Sequence, residues 1–316
     1  MLFRSEAEII IADNGSTDGS NDFLRENFPQ VRIVCNRDNG GFARGYNDAL
    51  KHITADYYVL LNSDIEVTEN WIKPVIDLMQ QHPEVAACQP KILSYSQKEC
   101  FEYAGAAGGF IDKLGYPFCR GRIFQTLEED LGQYDDACEV FWATGACMFV
   151  RADLFHQLGG FDEDFFAHME EIDFCWRLKN EGYRVMYCPG SKVYHVGGGT
   201  LPKASWKKTY LNFRNNFFLL YKNLPSDHLF RVFLLRLLLD GVAAIKFLLQ
   251  TGFKDFFAVS RAHIHFYRAL PNLRQKRKKL RQVSLSMVYK KSILSDYYLR
   301  RKKRFTDLQK ADFIRH

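Results

Sequence analysis

The chain has 316 residues, 47% of them hydrophobic and 25% charged, which is enough apolar material for a sizeable core and excludes a disordered or fibrous protein. Its net charge of +6 is unevenly placed: residues 1–267 carry 27 Lys and Arg against 34 Asp and Glu, whereas residues 268–316 carry 16 against 3. A mildly acidic body with a strongly basic end points to an anionic partner for that end alone, and no uncharged apolar stretch is long enough for a transmembrane helix.

Residues 8–12 form a short apolar run that reads as a buried strand, followed by the turn Asn14-Gly15-Ser16 and a helix over 19–27. Residues 31–34 read as a strand, 42–52 as a helix, 57–61 as a buried strand, 70–81 as a helix and 85–88 as a strand. Short apolar runs alternating with helical segments predict βα units and a largely parallel sheet. Residues 94–138, rich in glycine and aromatics, give no assignable period. Regularity returns with a strand at 146–150, helices at 151–158 and 170–181, and a strand at 184–188. The eight cysteines (35, 88, 100, 119, 138, 147, 175, 188) show no CxxC pair, so they read as reduced, mostly buried thiols of a cytosolic protein.

Ligands of such sheets gather at the carboxyl ends of the strands, where several polar motifs fall. Asp13 opens the run DNGSTDGS; it suits either a hydrogen bond to a nucleobase or ribose, or a turn in which Asp18 or Ser20 caps the next helix. Asn39-Gly40-Gly41-Phe42 reads as a tight turn or a close backbone approach to a ligand. Asn62-Ser63-Asp64 follows the strand YYVLL; a carboxylate there suits Mg²⁺ or Mn²⁺ bridging a diphosphate, and equally a polar turn.

Six acids lie within residues 162–173 among aromatics. Helix-dipole complementarity and an (i, i+4) pair explain Asp173 and Arg177. The adjacent Glu170 and Glu171 are better explained as partly desolvated carboxylates suited to general-base work. His195 precedes Gly197-Gly198-Gly199, and its imidazole suits either a metal shell beside a carboxylate or a structural role.

In this order and spacing the motifs DNGSTDGS, NGGFARGYN, LLNSD, TGACMFVRADLF, GGFDEDFF, EEIDFCWRLKNEGYRV and YHVGGGT resemble glycosyltransferase family 2 over about residues 8–225, especially the rhamnosyltransferase-like branch that builds bacterial surface polysaccharides. The resemblance implies an α/β GT-A fold over 1–225 and an inverting, metal-dependent transfer from a nucleotide-diphosphate sugar, UDP or dTDP, to a glycan or lipid-linked acceptor. It implies donor contacts at Asp13, Asn14, Asn39, Gly41, Phe42, Asn47, Asn62 and Ser63, and metal contacts at Asp64 and His195. Glu171 and Glu170 would be catalytic, and Trp142, Thr144 and Gly145 would line the acceptor and sugar pocket. Two departures stand out: Asn-Ser-Asp lacks one carboxylate of the family's DxD, and Glu-Glu replaces the commoner Glu-Asp. The same fold would also suit a non-catalytic glycan-binding protein or a sugar nucleotidyltransferase.

The family's first strand and helix have no counterpart ahead of residue 8, so the chain is expected to be a fragment. Residues 226–316 are expected to be an amphipathic helical and basic tail, suited to lie in a membrane interface or to dock on the catalytic domain. Within it, 229–249 reads as a helix whose charges Arg231, Arg236, Asp240 and Lys246 share one half of its circumference. With the basic clusters at 274–281 and 300–304, this predicts attachment to an anionic membrane on its cytoplasmic face rather than binding to nucleic acid.

Overall fold

The computed structural model describes residues 7–197, 205–283 and 285–314; Gly198 and Gly199 of the expected glycine loop, and the first six residues, lie outside them. The first part of the chain forms β1 (Ile10–Asp13), α1 (Ser20–Asn27), β2 (Arg32–Cys35), α2 (Gly41–Leu50), β3 (Tyr57–Leu61), β4 (Ile65–Val67), α3 (Lys73–Gln81) and β5 (Val85–Ser94). The stretch without a readable period forms β6 (Gly109–Asp112), β7 (Pro117–Cys119), β8 (Arg122–Ile123), β9 (Thr126–Leu127) and β10 (Cys138–Val140). Then come β11 (Cys147–Arg151), α4 (Ala152–Gln157), α5 (Glu170–Asn180), β12 (Arg184–His195), α6 (Trp206–Asn223), α7 (Ser226–Gln250), α8 (Phe253–Lys279), β13 (Val288–Tyr289) and α9 (Ile293–Tyr298).

The central sheet has the order β10-β12-β5-β11-β3, with β4 also on β12. Its strands alternate sides as the period of two requires. Cys147 and Phe149 of β11 pack with Trp71, Val75 and Met79 on one face, and Met148 and Val150 pack with Phe155 and Phe174 on the other. Covering both faces is what makes these strands read as continuous apolar runs. The α/β class is as expected, but the sheet is mixed: β5–β12 runs parallel, whereas β3–β11, β5–β11 and β10–β12 run antiparallel. The chain reaches β11 from β5 through the long excursion of residues 95–146 rather than through a crossover helix, so nothing forces the parallel sense. Among the described residues, β1 and β2 pair only with each other, as a separate parallel ribbon.

Residues 226–314 are woven into the body. Helix α8 lies along α6, and β13 extends the sheet β13-β6-β7-β8-β9. Phe305 and Phe313 pack their rings 5.0 and 5.3 Å from Phe110. Part of the basic cluster is consumed in this packing. Lys276 pairs with Asp162 and Asp164, Arg277 donates to the carbonyls of Tyr221 and Leu224, and Arg300 pairs with Asp296. All eight cysteines are free thiols, five of them buried.

Candidate functional site

The pairing of β4 with the end of β12 sets Ile65 opposite His195, and so brings Asp64 to a histidine 131 residues away. His195 Nε2 lies 3.1 Å from Asp64 Oδ1, and the Val196 amide donates to the Asp64 carbonyl. On the other side of the ring, Nδ1 lies 3.0 Å from Glu102 Oε2. Burial would lower the His195 pKa, but the Glu102 and Asp64 carboxylates outweigh it and hold the imidazole above its ordinary value. Glu102 is a buried residue that sequence reasoning passed over; the only signal was an acid between two aromatics, Phe101 and Tyr103, in a stretch without a period.

Because the two acids flank opposite ring nitrogens, no three acidic, histidine or cysteine groups surround one point among the described residues. The donors fit a divalent cation through two of them. An imidazole and a carboxylate oxygen 3.1 Å apart have about the spacing of adjacent corners of an octahedron with ~2.1 Å bonds, and such ions commonly take their remaining ligands from phosphates and water. Glu102 on the far nitrogen is placed to orient the ring, in the way outer-shell carboxylates do at metal-binding histidines.

A second cluster is built where α5 begins. Phe166, His168 and Met169 all take positive φ (64°, 70° and 74°), a strained run for non-glycine residues. Asn215 of α6 holds it, donating to the carbonyls of Phe165, Ala167 and His168 at 2.7–2.9 Å, while Arg214 donates to those of Asp164 and Phe165. Neither residue was singled out in the sequence. The loop delivers Glu170 and Glu171 to the first turn of α5 with one carboxylate oxygen of each buried and without a hydrogen-bond partner. Burial pushes Glu171 up to about 7. Burial and the neighbouring Glu171 and Asp173 charges raise Glu170 well above the carboxylate range.

The two clusters meet through β3 and β11. The Asn62 amide donates to the Ala146 carbonyl at 3.0 Å, so Asn62-Ser63-Asp64 leaves the sheet beside Gly145. A side-chain carbon at Gly145 would stand 3.0 Å from the Phe42 ring and 3.8 Å from Glu171 Cβ. Gly145 therefore borders the carboxylate cluster. Trp142 and Thr144 are buried: Trp142 Nε1 donates to the Phe110 carbonyl, and Thr144 Oγ1 accepts from the Ala146 amide.

The remaining expected donor contacts are split. Asp13 accepts from the Gly15 and Ser16 amides and from Asn21 Nδ2. Burial raises its pKa, but these hydrogen bonds outweigh it and hold the carboxyl below its ordinary range. Asp18 accepts from the Ser20 amide, but the N-cap of α1 is Gly19, and α1 has no side-chain capping hydrogen bond. Asn14 Nδ2 donates to the Gly41 carbonyl and to Asn39 Oδ1, joining β1 to the start of α2. Gly41 has φ 81°, and a side-chain carbon there would collide with the Phe166 carbonyl at 2.4 Å, so its close backbone approach is to the strained loop. The Phe42 amide donates to that same carbonyl at 2.7 Å. Asn47 clamps Phe161, donating to its carbonyl and accepting from its amide.

Residues 3–159 match the family model described as glycosyl transferase family 2. This chain belongs to that family. A curated relative is the N-acetylglucosaminyl-diphospho-decaprenol L-rhamnosyltransferase of Mycobacterium tuberculosis, 28% identical over 205 residues, covering 59% of this chain and 66% of the relative. Another is the low-salt glycan biosynthesis hexosyltransferase Agl10 of Haloferax volcanii, 24% identical over 218 residues, covering 67% and 66%. The chain thus spans about two thirds of the length of these family 2 relatives. Among solved structures, GalNAc-T7 with UDP, GalNAc and Mn²⁺ matches with a TM-score of 0.50 at 14% identity, over 70% of this chain and 42% of that one, a likeness of fold.

Proposed function

We propose that this family 2 chain transfers a sugar from a nucleotide-diphosphate donor to an acceptor hydroxyl with inversion at the anomeric carbon. The observation that carries the reading is a carboxylate of pKa about 7, Glu171, standing across Gly145 from the strand end that bears Asp64 and His195. A base poised near neutral pH is suited to accept a hydroxyl proton. The acceptor oxygen attacks the anomeric carbon from the face opposite the diphosphate, its proton passes to Glu171, and the departing diphosphate takes the bonding electron pair. Glu170, held protonated, keeps a second negative charge away from Glu171. Asp64 and His195 would hold Mn²⁺ or Mg²⁺, which when bound supplies positive charge against the leaving diphosphate; Glu102 orients the imidazole. Asp13 and Asn14 border the nucleobase side.

The names of the relatives support a rhamnose or other hexose as the transferred sugar and a lipid-linked or cell-surface glycan as acceptor; a UDP or dTDP carrier follows from the family resemblance. That chemistry suits an enzyme peripheral on the cytoplasmic face of a bacterial membrane, with residues 1–225 as catalytic domain and the following helices as its attachment. Among the described residues no helix is long and apolar enough to cross a membrane.

The test is thermal unfolding with UDP, dTDP and GDP, each with and without Mn²⁺. One nucleotide with metal should stabilise the chain by about 2.7 kcal/mol at a hundredfold excess over Kd, and Asp64→Asn should abolish the metal-dependent part. Cooperative melting with no shift under any of the six conditions would overturn the donor site. A shift without sugar transfer would mark a non-catalytic binder.

A further inference from the structure

Helix α7 is built inside out. Its two central charged residues face the protein: Arg236 and Asp240 are 2% and 1% exposed. Arg236 donates to the Leu114 carbonyl at 3.0 Å and to Asn216 Oδ1, and its guanidinium lies 4.0 Å from the centre of the Tyr116 ring. Asp240 lies 3.2 Å from His263 of α8. The opposite side, one turn after another, presents Phe230, Leu234, Leu238, Val242, Ile245 and Leu249, from 50% to 80% exposed. The charged half is thus partly the docking face, and the apolar half faces outward. Across Gly252, whose φ of 95° lets the chain turn into α8, Phe253 and Phe257 add to the outward apolar surface at 70% and 61% exposed.

We propose that this face of α7, with the first turns of α8, is a preformed seat for an anionic lipid bilayer. Charge decides the occupant. Over residues 226–281 nine Lys and Arg are exposed, against one exposed acid, Asp227. Two copies brought together through this face would oppose like charges, whereas a bilayer with anionic headgroups takes up the apolar strip and the cationic rim together. The strip runs from Phe230 to Leu249 on a helix of 25 residues, about 30 Å at 1.5 Å per residue, and its orientation is fixed by buried polar contacts rather than gained on landing. The seat is also tied to the reaction site. Adjacent residues of α6 hold the two, Asn216 gripping Arg236 and Asn215 gripping the loop before Glu170. A lipid-linked acceptor would then meet Glu171 in one orientation. The proposal rests on the transferase reading only for that acceptor.

The experiment is co-sedimentation of the full chain with vesicles of phosphatidylcholine alone and of phosphatidylcholine with 30 mol% phosphatidylglycerol, with sedimentation velocity without lipid. The expected result is a monomer that binds the anionic vesicles at least tenfold more tightly than the neutral ones. Leu238→Glu/Ile245→Glu should lose at least tenfold in vesicle affinity with an unchanged melting temperature. Lys254→Ala/Arg261→Ala should lose the anionic preference while keeping the residual neutral binding. Binding unaffected by the first pair, or a lipid-free dimer that the first pair dissolves, would overturn the proposal. Vesicle binding is read without turnover, so its failure leaves the transfer reading standing, and the reverse holds as well.

Discussion

Glu171→Gln is expected to lower turnover by about 10²–10⁴-fold, the usual worth of a positioned general base, while leaving nucleotide binding intact. The loss has a pH signature. Glu171 with a pKa of about 7 is a competent base only when ionised, so wild-type kcat/KM should fall about tenfold per pH unit below pH 7 and level off above it. In Glu171→Gln that limb should vanish. Glu170 is held protonated by burial and by the charges of Glu171 and Asp173, so Glu170→Gln, which preserves a neutral group, should cost far less. Steady-state rates of both variants from pH 5.5 to 8.5 check this; a larger loss in Glu170→Gln would exchange the two roles. Stability runs the other way. A carboxyl whose folded pKa lies above its unfolded one adds stability at low pH, and that contribution is lost as pH rises from about 4.5 through 7.

The second large effect concerns a buried ion network whose central cation, Lys222, no motif advertised. Lys222 of α6 is buried between Asp162, at 2.5 Å, and Asp173, at 2.9 Å. Asp173 also accepts from Arg177 Nε and Asn223 Nδ2, and Asp162 also pairs with Lys276 of α8. Lys222→Ala leaves two desolvated carboxylates short of a cation and should cost about 3–5 kcal/mol, read as a lower urea midpoint with an unchanged slope. Burial raises the Asp162 pKa, but Lys222 and Lys276 outweigh it and hold the carboxyl well below its ordinary value. The stability this contributes is complete above about pH 4 and lost as pH falls below it, so the variant should also lose part of the wild-type acid dependence. A variant as stable as wild type would mean that water replaces the ammonium.

Local patterns made much of this legible. The strand before Asn62-Ser63-Asp64, the helix opened by Glu170 and the (i, i+4) pair Asp173–Arg177 all depend on residues close in sequence, and the structure has each of them. Contacts made at long range were not legible. Glu102 reaches His195 only because Phe101 bridges Leu93 on β5, and β5 lies beside β12. The strands of residues 109–140 are two to four residues long, too short for a period, and one of their partners is β13, some 180 residues on. Periodicity showed that the charges of α7 share a side, but the direction of that side depends on Leu114, Tyr116 and Asn216, which belong to other elements.

The ribbon of β1 and β2 has a thermodynamic consequence. Among the described residues its strands have one partner each, α1 buries no side chain, and Phe23 and Phe28 are exposed. Strand β5, by contrast, is flanked on both sides and buried over nearly its whole length. Segments so thinly packed open locally at a small fraction of the global unfolding free energy. A nucleotide that engages Asp13 or Asn14 must hold that segment closed, and its apparent Kd is weakened by the fraction of molecules in which the segment is open. On the proposed donor contacts, donor affinity is therefore adjustable away from the contact residues: stiffening α1 or β2 should tighten it with Asp13 and Asn14 unchanged.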